Sequence, residues 1–181
     1  VQRFIYLSGS CVFKNRDNKA YSENDIPDPD NVKGISAFQG ESLVLSLAVL
    51  SKMELCILRL PEVVYVPRDR SECSGRIAEL CMNAVISGEM NIWTRERHSF
   101  LYISDAVHAI FLLANADKLI RPLYNLPTLS IESEYDIART VSKALGREIP
   151  IIEAPEKGSD GVWLSGDLFC KDFSFSALTS F

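Results

Sequence analysis

The chain of 181 residues carries 19 Lys plus Arg against 24 Asp plus Glu, a formal charge of −5. At 47% hydrophobic and 24% charged it has a globular composition, which excludes a disordered or fibrous chain, and its length fits one ordinary domain. A pI near 5.1 leaves no basic field to gather phosphates, so neither a nucleic-acid partner nor an anionic membrane surface is expected.

Cys11, Cys56, Cys73, Cys81 and Cys170 are an odd set without paired short spacings, and there are only two histidines. This pattern predicts a reduced, cytoplasmic setting with neither a disulfide framework nor a metal site. The most apolar stretch, Leu43 to Leu60, is broken by Ser46, Ser51, Lys52, Glu54 and Arg59, and so falls short of the roughly 20 apolar residues of a membrane span. No signal-peptide charge pattern opens the chain. It starts at Val1 and runs at once into a strand-like segment, from which an upstream continuation of the polypeptide is expected.

Phe4–Ser8 is a short apolar run rich in β-formers, the mark of a strand buried on both faces. Residues 14–33 are polar, hold Pro27 and Pro29, and read as a long surface loop. Phe38, Glu41, Leu45 and Ala48 then recur at helical steps within a predicted helix from Gly34 to Lys52. Leu55–Leu60 is a second apolar strand ended by Pro61, with an irregular extension over Val63, Val64 and Tyr65. Helices are expected at about 75–87, 104–116 and 131–145, the last with Ser130 as N-cap and Gly146 as stop; Asp105 is read as a cap of its own helix. Short strands fit Asn91–Trp93, Phe100–Ile103 and Leu123–Leu126, whereas 157–181 shows no period.

Alternating strands and helices predict an α/β fold with parallel pairing. Two central-type strands cannot cover one another, so the remaining strands are expected upstream or from another protein chain.

These segments carry a resemblance. Val1–Phe13 resembles the strand and turn of the NAD-dependent epimerase/dehydratase family, the extended short-chain dehydrogenases, in which an apolar strand runs into Ser, Ser or Thr and then Val-Tyr-Gly. Tyr21–Pro29 is similar to the family's acidic, proline-containing loop, and Asn31–Glu41 sits where the family has Tyr-Gly-x-Ser-Lys-x-x-x-Glu. Leu58–Pro67 resembles its Leu-Arg strand and Val-Tyr-Gly-Pro turn, His98–Val107 its Arg-x-Phe-x-Tyr-Val-x-Asp element, and Leu123–Leu126 its Tyr-Asn segment. The resemblance implies the C-terminal part of a Rossmann-like parallel sheet, formed by 1–66 and about 98–130. A small mixed α/β substrate-binding lobe would come from about 67–97 and 131–181.

It also implies a proton relay that this chain lacks. The family's Ser or Thr, Tyr and Lys positions fall on Gly9, Lys33 and Ala37. Glycine offers no hydroxyl and alanine no charge, and an exposed lysine titrates near ~10.4. General acid/base catalysis contributes about 10²–10⁴-fold, and relay members act as a unit. Sliding the turn by one residue would bring in Ser8 or Ser10, but no Tyr-x-x-x-Lys occurs anywhere in the sequence.

The Gly-rich dinucleotide turn is missing too, and Gly158 and Gly161 follow a proline-containing loop rather than a strand. If NAD or NADP binds, Leu7, Ser8, Ser10, Leu60, Pro61 and Val63 would line its nicotinamide end. His98, with Arg95 and Arg97 nearby, falls where the family contacts a nucleotide phosphate. His108, Cys56, Trp93, Trp163 and the tail phenylalanines read as packing, and nothing in the sequence lowers the Cys11 pKa.

The expected function is therefore an inactive or partial family member with a binding or assembly role, its partners a nucleotide sugar, a missing N-terminal half or another chain, or a second copy of itself. Two rivals stand beside it: an active NAD(P)-dependent nucleotide-sugar enzyme with relocated catalytic residues and an upstream cofactor half, and a purely structural subunit.

Overall fold

The computed structural model describes residues 3–14, 19–65, 75–93, 97–128, 130–154 and 161–178. The chain divides into two compact units, one of Val1–Val63, Ser99–Ser130 and Val162–Phe181, the other of Val64–His98 and Ile131–Gly161.

The first unit is built on a parallel sheet in the order β1 (Arg3–Gly9), β3 (Glu54–Leu60), β7 (Leu123–Asn125), with β3 in the centre. Side chains alternate across it. On one face Tyr6, Leu55, Ile57 and Leu123 pack with Val44 and Ala48 of α1 (Val32–Leu50). On the other, Cys56, Leu58 and Tyr124 pack with Leu101, Ala106, Ala109 and Leu113, the last three from α3 (Ile103–Asn115). Continuous apolar runs suit a strand covered on both faces, and β3 fits that expectation. β1 departs from it: Phe4 and Leu7 are 44% and 48% exposed, because β1 is an edge of this sheet.

The stretch expected as surface loop contains β2 (Ala20–Tyr21), which pairs in parallel with β10 (Trp163–Leu164). Tyr21 is buried and stacks on Phe13 at 4.5 Å, and this ring pair draws the segment inward. α1 starts at Val32, two residues before the predicted start, because the Asn31 side chain accepts from the Gly34 N–H at 2.9 Å. Asp105 does not cap α3. It is fully buried, and its Oδ1 accepts from the Leu178 N–H at 2.6 Å. The 162–178 tail, expected with the smaller lobe, packs in the first unit through α5 (Asp167–Phe173), whose Phe169 and Phe173 rings meet Tyr124. His108 packs on Phe175 at 5.7 Å, with its Nδ1 unbonded.

The second unit holds α2 (Arg76–Ile86), α4 (Glu134–Ala144) and a parallel pair, β5 (Met90–Trp93) with β9 (Ile151–Ala154). Leu80, Ala84, Met90, Ile92, Ile137 and Ala138 are buried there. α4 begins three residues later than predicted: residues 130–133 form a strand, β8 (Ser130–Ser133), and Ser133, not Ser130, caps the helix by accepting from the Asp136 N–H. Gly146, at φ +64°, follows the helix as its predicted stop. β4 (Glu62–Val64), β6 (Arg97–Tyr102) and β8 each run across a boundary between the units.

One buried ion pair ties the first unit together. Arg59 on β3 donates from Nε and Nη2 to both carboxylate oxygens of Glu41 on α1 at 2.9 and 2.7 Å, and the two side chains are 3% and 2% exposed. Ser8 Oγ donates to the same carboxylate at 2.5 Å, and the Phe13 ring lies 4.9 Å from the guanidinium. Removing one partner of a buried pair leaves an uncompensated charge and costs about 3–5 kcal/mol. Glu41→Ala and Arg59→Ala should each lower stability to denaturant by that amount. The Glu41→Leu, Arg59→Met double variant should lose much less than the sum, as a double-mutant cycle would measure.

Candidate active site and its supporting residues

The positions of the expected proton relay converge at the carboxyl end of β1. Gly9 is extended (φ −151°, ψ 169°) and leads into a 3-10 turn over Ser10–Val12. Gly34, in the first turn of α1, is pressed onto that turn: a Cβ there would stand 2.0 Å from the Cys11 carbonyl oxygen and 2.8 Å from Pro29 Cβ. No other residue type fits. This contact sets α1 against β1 and brings Lys33 and Ala37 alongside the Gly9–Cys11 turn.

The side chains at these expected places carry one ionisable group, the Lys33 amine. Gly9 has room for a side chain, since a Cβ would meet Cys11 Sγ at 3.5 Å and the Leu60 carbonyl at 3.6 Å, ordinary contacts, but it supplies no hydroxyl. Ala37 is partly buried against Val12, Phe13 and Tyr21. Lys33 is exposed. Burial pushes the Cys11 thiol above its usual pKa, and the nearby Lys33 charge only partly offsets this. On β3, burial drives the Cys56 thiol up to about 12, which leaves it an inert core group.

The expected nicotinamide-lining residues lie together, because Gly9 and Leu60 are register partners on adjacent strands. Leu7 is exposed; Ser8 is buried and committed to Glu41; Ser10 is partly exposed. Pro61 is buried, while Leu60 and Val63 pack partly against the core.

The expected phosphate-contacting residues are not alike. Arg95 lies outside the described residues, and Arg97 is exposed at the start of β6. His98 is buried, with Nε2 3.1 Å from Glu134 Oε1. Sequence reasoning missed Glu134 and Arg76. Glu134 is fully buried; Arg76 donates to its two oxygens at 2.6 and 2.9 Å, and the Trp93 N–H donates to it at 2.7 Å. Arg76 also stacks 3.8 Å over the Trp93 ring, donates to the Asn91 carbonyl and pairs with Glu79. Arg76 and Trp93 line an open cleft of about 660 Å³ together with Met82, Asn83 and Ile86 of α2. With its donors so engaged, Arg76 offers the cleft a flat stacked surface more than a free charge. No sequence signal marks a glutamate that turns inward from a helix's first residue.

The chain matches the model of the NAD dependent epimerase/dehydratase family over residues 1–126, and it belongs to that family. No curated protein matches it. Among solved structures it is similar to the UDP-glucuronic acid 4-epimerase from Bacillus cereus, in complex with UDP-glucuronic acid and NAD (TM-score 0.86, 21% identity, 98% of this chain and 57% of that one). It is also similar to MoeE5 in complex with UDP-glucose and NAD (TM-score 0.81, 25% identity, 99% and 61%). A third is the dTDP-glucose 4,6-dehydratase from Bacillus anthracis in complex with NAD (TM-score 0.84, 13% identity, 98% and 57%). The fold is that of these Rossmann-like enzymes, and the chain spans about three-fifths of their length. Among the described residues no helix is long and apolar enough to cross a membrane.

The Glu134 cluster has a pH signature. Burial raises the carboxyl pKa, but hydrogen bonds from Arg76, Trp93 and His98 outweigh it and hold the folded value below the ordinary 4.5. A depressed carboxyl stabilises the fold above its unfolded pKa, and that contribution disappears as pH falls through the folded value. Acid titration of the folded chain should therefore show a loss of stability starting below about 4.5 that is reduced in Glu134→Gln, read by denaturant unfolding at each pH.

Proposed function

We propose that this chain is a catalytically silent or partial member of the epimerase/dehydratase family, with a role in binding or assembly rather than turnover. One observation supports the reading: Gly9, Lys33 and Ala37, which the resemblance matches to the family's proton relay, supply a single exposed ammonium between them. The first unit would be the second half of a nucleotide-binding domain, and the second unit a substrate lobe. Leu7, Ser10, Leu60, Pro61 and Val63 would face the nicotinamide of NAD or NADP, a cofactor whose chemistry when bound is hydride transfer. Arg95, Arg97 and His98 would serve the diphosphate of a nucleotide sugar, with His98 oriented by Glu134. A cytoplasmic setting accords with Cys11, Cys56, Cys81 and Cys170 being free thiols.

The purified chain, given NAD and either UDP-glucose or UDP-glucuronic acid, should show no epimerase, dehydratase or reductase turnover by product chromatography. Turnover abolished by Lys33→Ala would overturn the reading and establish the rival, an enzyme with relocated catalytic residues.

Assembly is favoured by a second observation. Val32, Ile35, Leu43, Leu47 and Leu50 recur at three-, four- and eight-residue steps on α1 and are 83%, 45%, 62%, 42% and 82% exposed. The stripe carries no charge, and such a surface is self-complementary about a two-fold axis. Multi-angle light scattering should find the chain dimeric or larger, and Leu43→Lys with Leu47→Lys should shift it toward monomer.

A further inference from the structure

The parallel sheet of the first unit ends at β7, which pairs with β3 alone among the described residues. Its hydrogen bonds reveal which backbone groups face outward. The Pro122 carbonyl accepts from the Ile57 N–H at 2.8 Å, and the Leu126 N–H donates to the Arg59 carbonyl at 2.9 Å. Residues 122 and 126 therefore turn toward β3. Backbone direction alternates along a strand, so the N–H and C=O groups of Leu123 and Asn125 turn away from β3, to the side where a further strand would pair. Unpaired groups in that position are a template for strand addition by another chain.

The outward N–H of Asn125 has an acceptor within this chain. It donates to Glu23 Oε1 at 2.8 Å, a residue 102 positions earlier in the sequence. That carboxylate is presented by a segment fastened on both sides. Before it, Tyr21 is buried, belongs to β2 and stacks on Phe13; its carbonyl accepts from the Ser165 N–H and from Asn125 Nδ2, each at 2.9 Å. After it, Asp25 Oδ2 accepts from the Ser22 N–H at 2.8 Å and from the Ser22 hydroxyl at 2.7 Å, which closes the turn carrying Glu23. The segment thus grips the fully buried Asn125 twice, through its side chain and through its backbone. A carboxylate oxygen stands where a neighbouring strand would offer a carbonyl. Such an acceptor ends the ladder, because a side chain takes the N–H and supplies no backbone to carry the pairing on.

We propose that Glu23 is a built-in stop for this sheet: its carboxylate occupies the pairing position on Asn125 and closes the β7 edge to strand addition by a second copy of the chain.

Amide hydrogen exchange on the intact chain, read residue by residue by nuclear magnetic resonance, tests the stop together with light scattering. The Asn125 amide should exchange slowly in the wild type and roughly ten- to hundredfold faster in Glu23→Ala, as the loss of a hydrogen bond to a charged group implies. Glu23→Ala should also associate beyond the wild type at equal concentration. Glu23→Gln keeps an acceptor oxygen at the same reach and should match the wild type in both measurements. Unchanged exchange in Glu23→Ala, or faster exchange without added association, would overturn the proposal. If that variant does not fold, Glu23→Asp, one methylene short of Asn125, should show the same two changes, and their absence would overturn it equally. So would a wild-type Asn125 amide that exchanges as fast as a solvent-exposed one.

Discussion

The fold of the larger unit turns on a charge that has been taken out of water. Arg59 belongs to the central strand of a sheet covered on both faces, where a guanidinium can persist only if its charge is matched and most of its hydrogens are used. Glu41 meets both demands from the neighbouring helix, and in doing so fixes the rotation and height of α1 above β1 and β3. The Ser8 hydroxyl, sharing the same carboxylate, ties in the strand that leads to the Gly9 turn. The smaller unit repeats the device with different residues. There Glu134 is the buried carboxylate, Arg76 and His98 answer it, and the indole of Trp93 is held under the guanidinium.

In each unit a single inward glutamate therefore decides where potential ligand-facing groups stand. His98 and Arg76 are examples. Both are basic, and both would read as phosphate partners on position alone, yet each is bound to a buried carboxylate. Cationic residues near a site recognise a ligand only with the donors that internal partners leave over.

Much of the skeleton was readable from the chain. The apolar runs at Phe4–Ser8 and Leu55–Leu60 did become parallel neighbours, and the helices expected near 75–87 and 104–116 form within a residue or two of those limits. Failures came where local signals competed. Ser130 was read as the helix cap, but residues 130–133 form a strand and the cap falls on Ser133. α5 spans only seven residues, too few to show a period, and its place depends on Phe169 and Phe173 finding Tyr124. Tyr21 looked like loop because its burial comes from stacking on a residue eight positions earlier. Glu134 was the least legible, since no apolar period announces a carboxylate that points inward from a helix's first residue, whereas Glu41 stood on the recurring face of its helix.

Gly34 has a consequence for how chemistry and architecture can part company in this fold. The helix is seated against the turn by the absence of a side chain at 34, while the neighbouring Lys33 side chain is exposed. A different side chain at 33 would meet solvent rather than the turn, so it can change without unseating the helix. The frame and the groups displayed on it are set by separate residues.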